Sequence, residues 1–131
     1  MKLQAIQGYT VALSFLNMYE SDGNTLTLIQ KQMQIELSKV VSVYVKKHSK
    51  HLFKWVNKAW DRFLEITDGN DVTVDALTFS VQMVLKNPNI EKNKKLKSLA
   101  WEANKEFLFK KKETVSNAKS VVNAFYGRGD L

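Results

Sequence analysis

The chain of 131 residues contains no cysteine. Without thiols it can form neither a disulfide framework nor a zinc site built on thiolates, and this composition favours a reducing, cytoplasmic setting. Polar residues such as Gln4, Gln7 and Thr10 interrupt the apolar N-terminus, which is unlike a secretory signal peptide. No apolar run approaches the ~18 residues that a membrane span needs. We therefore expect a soluble cytoplasmic protein with no membrane partner.

Glycine and proline are also scarce, at five residues and one residue. No long window alternates apolar and polar residues, so we do not expect a β-rich fold, whereas apolar spacings of three and four recur throughout. The length and the 44% of apolar residues suit one domain with a hydrophobic core. We predict an all-α fold, a single-domain bundle of four to six helices over residues 1–131, elongated if its helices are long. Residues 127–131 are predicted to be a flexible C-terminal tail.

The motifs of catalysis are missing as well. There is no cysteine nucleophile, no Gly-x-Ser-x-Gly elbow and no glycine loop that could cradle phosphates. Both histidines, His48 and His51, lie among lysines that would repel a cation, and no third ligand is near. We therefore predict a non-enzymatic protein with no catalytic residue, no metal and no cofactor.

Four helical regions follow from the apolar spacing. The first, residues 3–19, should bury Leu3, Ile6, Leu13 and Leu16 before the turn residues 21–24. The second carries an apolar stripe from residue 25 to 66. A continuous helix over these residues would be ~63 Å long. It would project well beyond a compact domain of this length, whose radius of gyration is ~14 Å, so we expect a bend at residues 46–50.

The C-terminal half contains the other two helical regions. A helix over residues 73–86 should follow the turn at 67–71 and end at Asn87-Pro88-Asn89. The last region, residues 90–125, should have a bend at Lys110-Lys111-Lys112. Its predicted buried residues are Leu96, Leu99, Ala103, Phe107, Ala118, Val121, Val122 and Phe125.

Positive charge is the strongest functional signal, with a formal net charge of +7. Residues 23–66 hold eight basic and three acidic residues, and residues 86–119 hold ten and four. Eighteen of the twenty basic residues are lysine, a mobile point charge that suits contact with a phosphate backbone more than recognition of bases. The excess of lysine, together with many asparagines, is compatible with an AT-rich genome and a phage or mobile-element origin.

A basic residue recurs at every fourth position from residue 46 to 62. We call these five residues the basic ladder: Lys46, Lys50, Lys54, Lys58 and Arg62. On a helix they occupy an arc of about 160°, opposite most of the apolar residues. We predict a nucleic-acid or acidic-partner site that combines this ladder with the second basic segment. Its residues are Lys46, Lys47, Lys50, Lys54, Lys58, Arg62, Lys92, Lys94, Lys95 and Lys97. The plainer interpretation is a solvated helix face with pairs such as Lys58 with Asp61.

Two functions compete on these observations. The first is binding to the phosphate backbone of DNA or RNA with little sequence specificity. The alternative is a protein-protein interaction module, such as an adaptor, an inhibitor or an assembly subunit, whose lysine-rich face docks an acidic partner; self-association belongs to this alternative. Trp55, Trp60 and Trp101 could stack on bases, but tryptophan at helical spacing is typical of a core, where we expect these three.

Overall fold

The structure is a computed structural model that describes residues 2–47, 61, 76–107 and 112–127. Within these residues the chain forms helices joined by turns and short irregular connections, with no strand. The α-helices are α1 (Leu3–Ser21), α2 (Leu28–Lys47), α3 (Ala76–Leu85), α4 (Lys94–Lys105) and α5 (Lys112–Gly127), and a 3₁₀ turn covers Ile90–Lys92. The predicted all-α fold is confirmed.

The short helix α3 lies at the centre of the fold. Every residue from 77 to 84 is buried, in keeping with a helix that is apolar on nearly all sides. Helices α1, α4 and α5 pack against α3, and α2 covers α1 and α4 from outside. The core therefore draws side chains from all five described helices.

A tight connection joins α1 to α2. Gly23 has a φ of 88°, a left-handed conformation that suits glycine. Thr27 and Gln30 then form a capping box: the Gln30 N–H donates to Thr27 Oγ1 at 3.2 Å, and the Thr27 N–H donates to Gln30 Oε1 at 2.9 Å. This cap explains why α2 begins at Leu28 and not at the predicted residue 25.

Asparagines delimit the segment between α3 and α4. As predicted, α3 ends before Asn87-Pro88-Asn89. The predicted helix from residue 90 is instead a 3₁₀ turn, because Asn93 stops it and caps the next helix, accepting the Leu96 N–H at 3.1 Å. The following helix ends in a turn at residues 106–107.

One side of α1 differs from the prediction. Ile6 and Leu16 are buried and Leu13 is partly buried, but Leu3 is half exposed. Tyr126 of α5 reaches the opposite side of α1 at Gly8, which lies about 140° around the helix from Leu3. The packing of α5 therefore decides which side of the N-terminal part of α1 is buried.

Several predicted features lie outside the described residues. These are the part of the 46–50 bend after Lys47, the turn at 67–71, Lys110 and Lys111 of the second bend, and residues 128–131 of the tail. Lys112 begins α5 and Gly127 ends it. Among the residues that are described, no helix is both long enough and apolar enough to cross a membrane.

Candidate functional site

Four of the predicted site residues lie at the beginning of α4. Asn93 caps this end of the helix, so the turn before α4 and its first turn present these lysines together. The positive end of the helix dipole adds to their potential, which costs helix stability but favours anions nearby. We call this group the α4 lysine cluster: Lys92, Lys94, Lys95 and Lys97.

The two sides of α4 differ sharply. Leu96, Ala100 and Ala103 are fully buried against the core. Trp101 lies about 100° around the helix from Ala100 and is 50% exposed. The expectation of a core position is therefore wrong for Trp101, and Trp55 and Trp60 lie outside the described residues. The position of Trp101 off the stripe of buried residues is the sequence signal that could have placed it at the surface.

Lys95 lies on the side of α4 that faces α2. Its Nζ is 3.0 Å from Glu36 Oε1, and Lys39 Nζ is 3.1 Å from the same oxygen. Hydrogen bonds from Lys95 and then Lys39 lower the pKa of Glu36, whose side chain is only 14% exposed. Lys95 therefore stabilises the contact between α2 and α4 and is a weaker candidate for binding than its neighbours.

The other three lysines of the cluster differ in their pairing. Lys97 Nζ lies 2.7 Å from both carboxylate oxygens of Glu91. Lys92 and Lys94 are exposed and form no ion pair with any residue that the structure describes. These two side chains are the most available positive charges at this end of α4.

Helix α2 runs antiparallel to α4. The Thr27 hydroxyl donates to Glu106 Oε1 at 3.0 Å near one end, and Glu36 contacts Lys95 farther along. The last turn of α2, which carries Lys46 and Lys47, therefore lies toward the end of this helix pair where α4 begins. Both lysine-rich segments thus have exposed lysines at the same end of the α2–α4 pair.

The basic ladder is described only in part. Lys46 and Lys47 are exposed in the last turn of α2, where the helix dipole stabilises a positive charge. Lys46 is the one ladder member among the described residues, and Lys47 is its neighbour in the predicted site. The other four ladder members, all of them predicted site residues, lie outside the described residues: Lys50, Lys54, Lys58 and Arg62.

A groove with a mixed lining separates α2 from the start of α4. Its volume is about 260 Å³. Ile35 is 48% exposed on its α2 wall, and Val43, 58% exposed, lies two turns farther along the same helix. Both residues fall outside the predicted apolar stripe of α2. The residues lining this α2–α4 groove are Gln32, Ile35, Glu36, Lys39, Lys95 and Leu99.

The part of the chain that the structure describes contains no candidate metal site. No group of three or more His, Cys, Asp or Glu side chains there could hold an ion. The two histidines, His48 and His51, lie outside that part. No protein-family model, curated protein or solved structure matches the chain.

Proposed function

We propose that the protein binds the phosphate backbone of DNA or RNA with little sequence preference, as a binding protein rather than an enzyme. One observation carries this proposal: Lys92 and Lys94 are exposed without an ion pair among the described residues, at the beginning of α4. No acidic residue occurs from Lys92 to Trp101. A phosphate would meet two mobile ammonium groups there, and the nearest carboxylate in sequence, that of Glu91, is paired with Lys97.

The predominance of lysine determines the expected mode of binding. Lysines that neutralise phosphates release condensed counterions, which gives an affinity that depends on salt more than on sequence. Bidentate recognition of a base edge would call for arginine or amide side chains. Lys46 and Lys47 extend the positive surface at the same end of the α2–α4 pair.

The test is fluorescence anisotropy with labelled DNA of two unrelated sequences across a salt series. The Lys92→Glu, Lys94→Glu double variant should lower affinity for both sequences equally. On duplex DNA it should flatten the plot of log K against log salt by about 0.9 for each phosphate that the variant no longer neutralises. A matched control is Lys2→Glu, Lys119→Glu, which changes net charge equally through exposed lysines before α1 and on α5.

A folded double variant with unchanged affinity and unchanged salt slope would rule out this face as the binding surface. Equal reductions in the test and control variants would mean that net charge alone attracts DNA. Only a selective reduction in Lys92→Glu, Lys94→Glu supports the proposal.

The second candidate is a protein-protein interaction module, and the α2–α4 groove favours it. Ile35 and Val43 expose apolar surface beside Lys39, and Lys95 lines the same groove as Ile35, an arrangement that combines apolar contact with positive charge. An acidic protein with an apolar anchor is the partner that such a surface would suit.

This candidate predicts a stoichiometric complex that the Ile35→Asp, Val43→Asp variant no longer forms. Affinity purification from lysate, followed by sedimentation of the recovered complex, measures both properties. Met18→Asp is the control, because Met18 is also half exposed but lies on α1. Recovery that is unaffected by the groove variant would count against this function.

A further inference from the structure

Trp101 is the most unusual side chain on the surface of α4. It is 50% exposed, although tryptophan is among the side chains that gain most from burial. The buried side of α4 is already filled by Leu96, Ala100 and Ala103, which are fully buried. Folding alone therefore gives no reason for a large aromatic ring at this position.

The surroundings of Trp101 are polar and positively charged. Lys94 and the residues four, seven and eleven positions after it, which are Ser98, Trp101 and Lys105, share an arc of about 60° on α4. They form a strip ~17 Å long. Trp101 is the one apolar member of this strip. A lysine with no ion pair among the described residues lies at one end of the strip, and a second lysine lies at the other. We call this strip the Trp101 row: Lys94, Ser98, Trp101 and Lys105, all exposed.

Lysines also flank the ring one turn away on either side. Lys97 precedes Trp101 by four residues and Lys105 follows it by four, so both lie beside the indole on the helix surface. Each is held in an ion pair, Lys97 with Glu91 at 2.7 Å and Lys105 with Glu102 at 3.1 Å. Exposed pairs of this kind are weak and are screened by salt, so a phosphate can take the place of the carboxylate.

An aromatic ring among lysines matches the chemistry of unpaired nucleic acid. Proteins bind single strands by stacking bases on aromatic side chains while lysine or arginine contacts the backbone. The bases of a duplex are stacked on each other and offer no free face to a ring on the convex surface of a helix. The same surface could contact a duplex only through its phosphates.

We infer that the Trp101 row is a binding site for single-stranded DNA or RNA, in which the indole of Trp101 stacks on an unpaired base and the adjacent lysines contact the flanking phosphates. This inference rests on the proposed binding to nucleic acid and deepens it. The site prefers single strands to duplexes and tolerates any base, because every base has a face on which to stack.

Substitution of Trp101 tests the inference on the full chain. Trp101→Ala should weaken binding to labelled single-stranded DNA about tenfold and leave duplex binding within twofold of the wild-type value. Trp101→Phe, which keeps an aromatic ring, should retain the wild-type affinity for single-stranded DNA. Leu28→Ala is the matched control, because it removes exposed apolar surface from α2. Thermal unfolding of each variant confirms that the chain still folds.

Indole fluorescence supplies a second readout. Stacking on a base should quench Trp101, so single-stranded DNA should quench the wild-type protein more than Trp101→Phe, which retains Trp55 and Trp60. Equal quenching in both proteins would overturn the inference.

The outcomes separate this inference from the proposed function. If Lys92→Glu, Lys94→Glu weakens binding but Trp101→Ala does not, the backbone contact stands and the stacking site is wrong. If Trp101→Ala weakens duplex and single-strand binding equally, base stacking is also wrong. If the wild-type protein binds neither form of DNA near physiological salt, both proposals fail.

Discussion

The hydroxyl of Tyr126 lies where Gly8 leaves room for it. A Cβ atom on Gly8 would overlap this hydroxyl and lie 2.7 Å from the Tyr126 ring. The hydroxyl donates to the Met83 carbonyl at 2.6 Å and accepts from Asn87 Nδ2 at 3.1 Å, and the same amide donates to the Ala5 carbonyl at 2.7 Å. Close approach at Gly8 thus joins α5 to α1, to α3 and to the segment that follows α3.

Gly8→Ala should destabilise the fold by about 1–3 kcal/mol, the usual cost of overpacking a core. Tyr126 could make room only by leaving its hydrogen bonds to Met83 and Asn87. Urea unfolding followed by circular dichroism measures the change. Gly127→Ala is the control, because a Cβ atom there would meet no atom of the described residues within 4 Å. This substitution should be neutral or stabilise the protein by up to about 1 kcal/mol. Equal effects of the two substitutions would contradict the packing argument.

Stability should fall in alkaline solution because two tyrosines are buried in the neutral form. Burial raises the pKa of Tyr9 to about 12, and burial also raises the pKa of Tyr126. Above pH ~10 the unfolded chain loses tyrosine protons that the folded chain retains, so the free energy of unfolding decreases from there through the folded-state pKa.

Urea unfolding measured from pH 8 to pH 12 checks this prediction. In Tyr9→Phe the decline above pH ~10 should be shallower, because one of the two shifted groups has been removed. The wild-type protein and Tyr9→Phe differ in no other titratable group. The same slope in Tyr9→Phe and the wild-type protein would show that Tyr9 does not contribute.

Local signals in the sequence predicted much of the fold and less of the site. The apolar spacing identified the helical regions, and Asn87-Pro88-Asn89 correctly marked the end of α3. The break at Asn93 was missed, although an asparagine before a helix is an ordinary cap. Leu3 was misplaced because tertiary packing, and not periodicity, decides which side of a helix meets a partner. Trp101 was misplaced although its position off the stripe of buried residues indicated the surface.

Thr27→Ala should destabilise the protein by about 1 kcal/mol, because it removes the hydroxyl that caps α2. The Gln30 N–H then has no cap to donate to, and the exposed hydrogen bond to Glu106 is removed as well. Thermal or urea unfolding measures the effect. Thr25→Ala, an exposed threonine two residues earlier, should change stability by less than about 0.5 kcal/mol. Equal destabilisation by both substitutions would exclude capping as the cause.

The basic ladder leads to a separate prediction about the binding surface. If it contacts nucleic acid, reversing Lys50, Lys54 and Lys58 to Glu should lower affinity for every sequence equally and flatten the salt dependence by about 0.9 for each duplex phosphate that is no longer neutralised. Fluorescence anisotropy over a salt series measures both quantities, and circular dichroism verifies the fold.

Combining this triple variant with Lys92→Glu, Lys94→Glu shows whether one nucleic acid binds both basic segments. The exposed lysines that end α2 and begin α4 lie at the same end of the helix pair, so a strand bound there can reach both. The decreases in salt slope should then add, because each neutralised phosphate releases its counterions independently. A triple variant that folds and keeps the wild-type affinity and slope would exclude the ladder from binding and restrict the surface to α4.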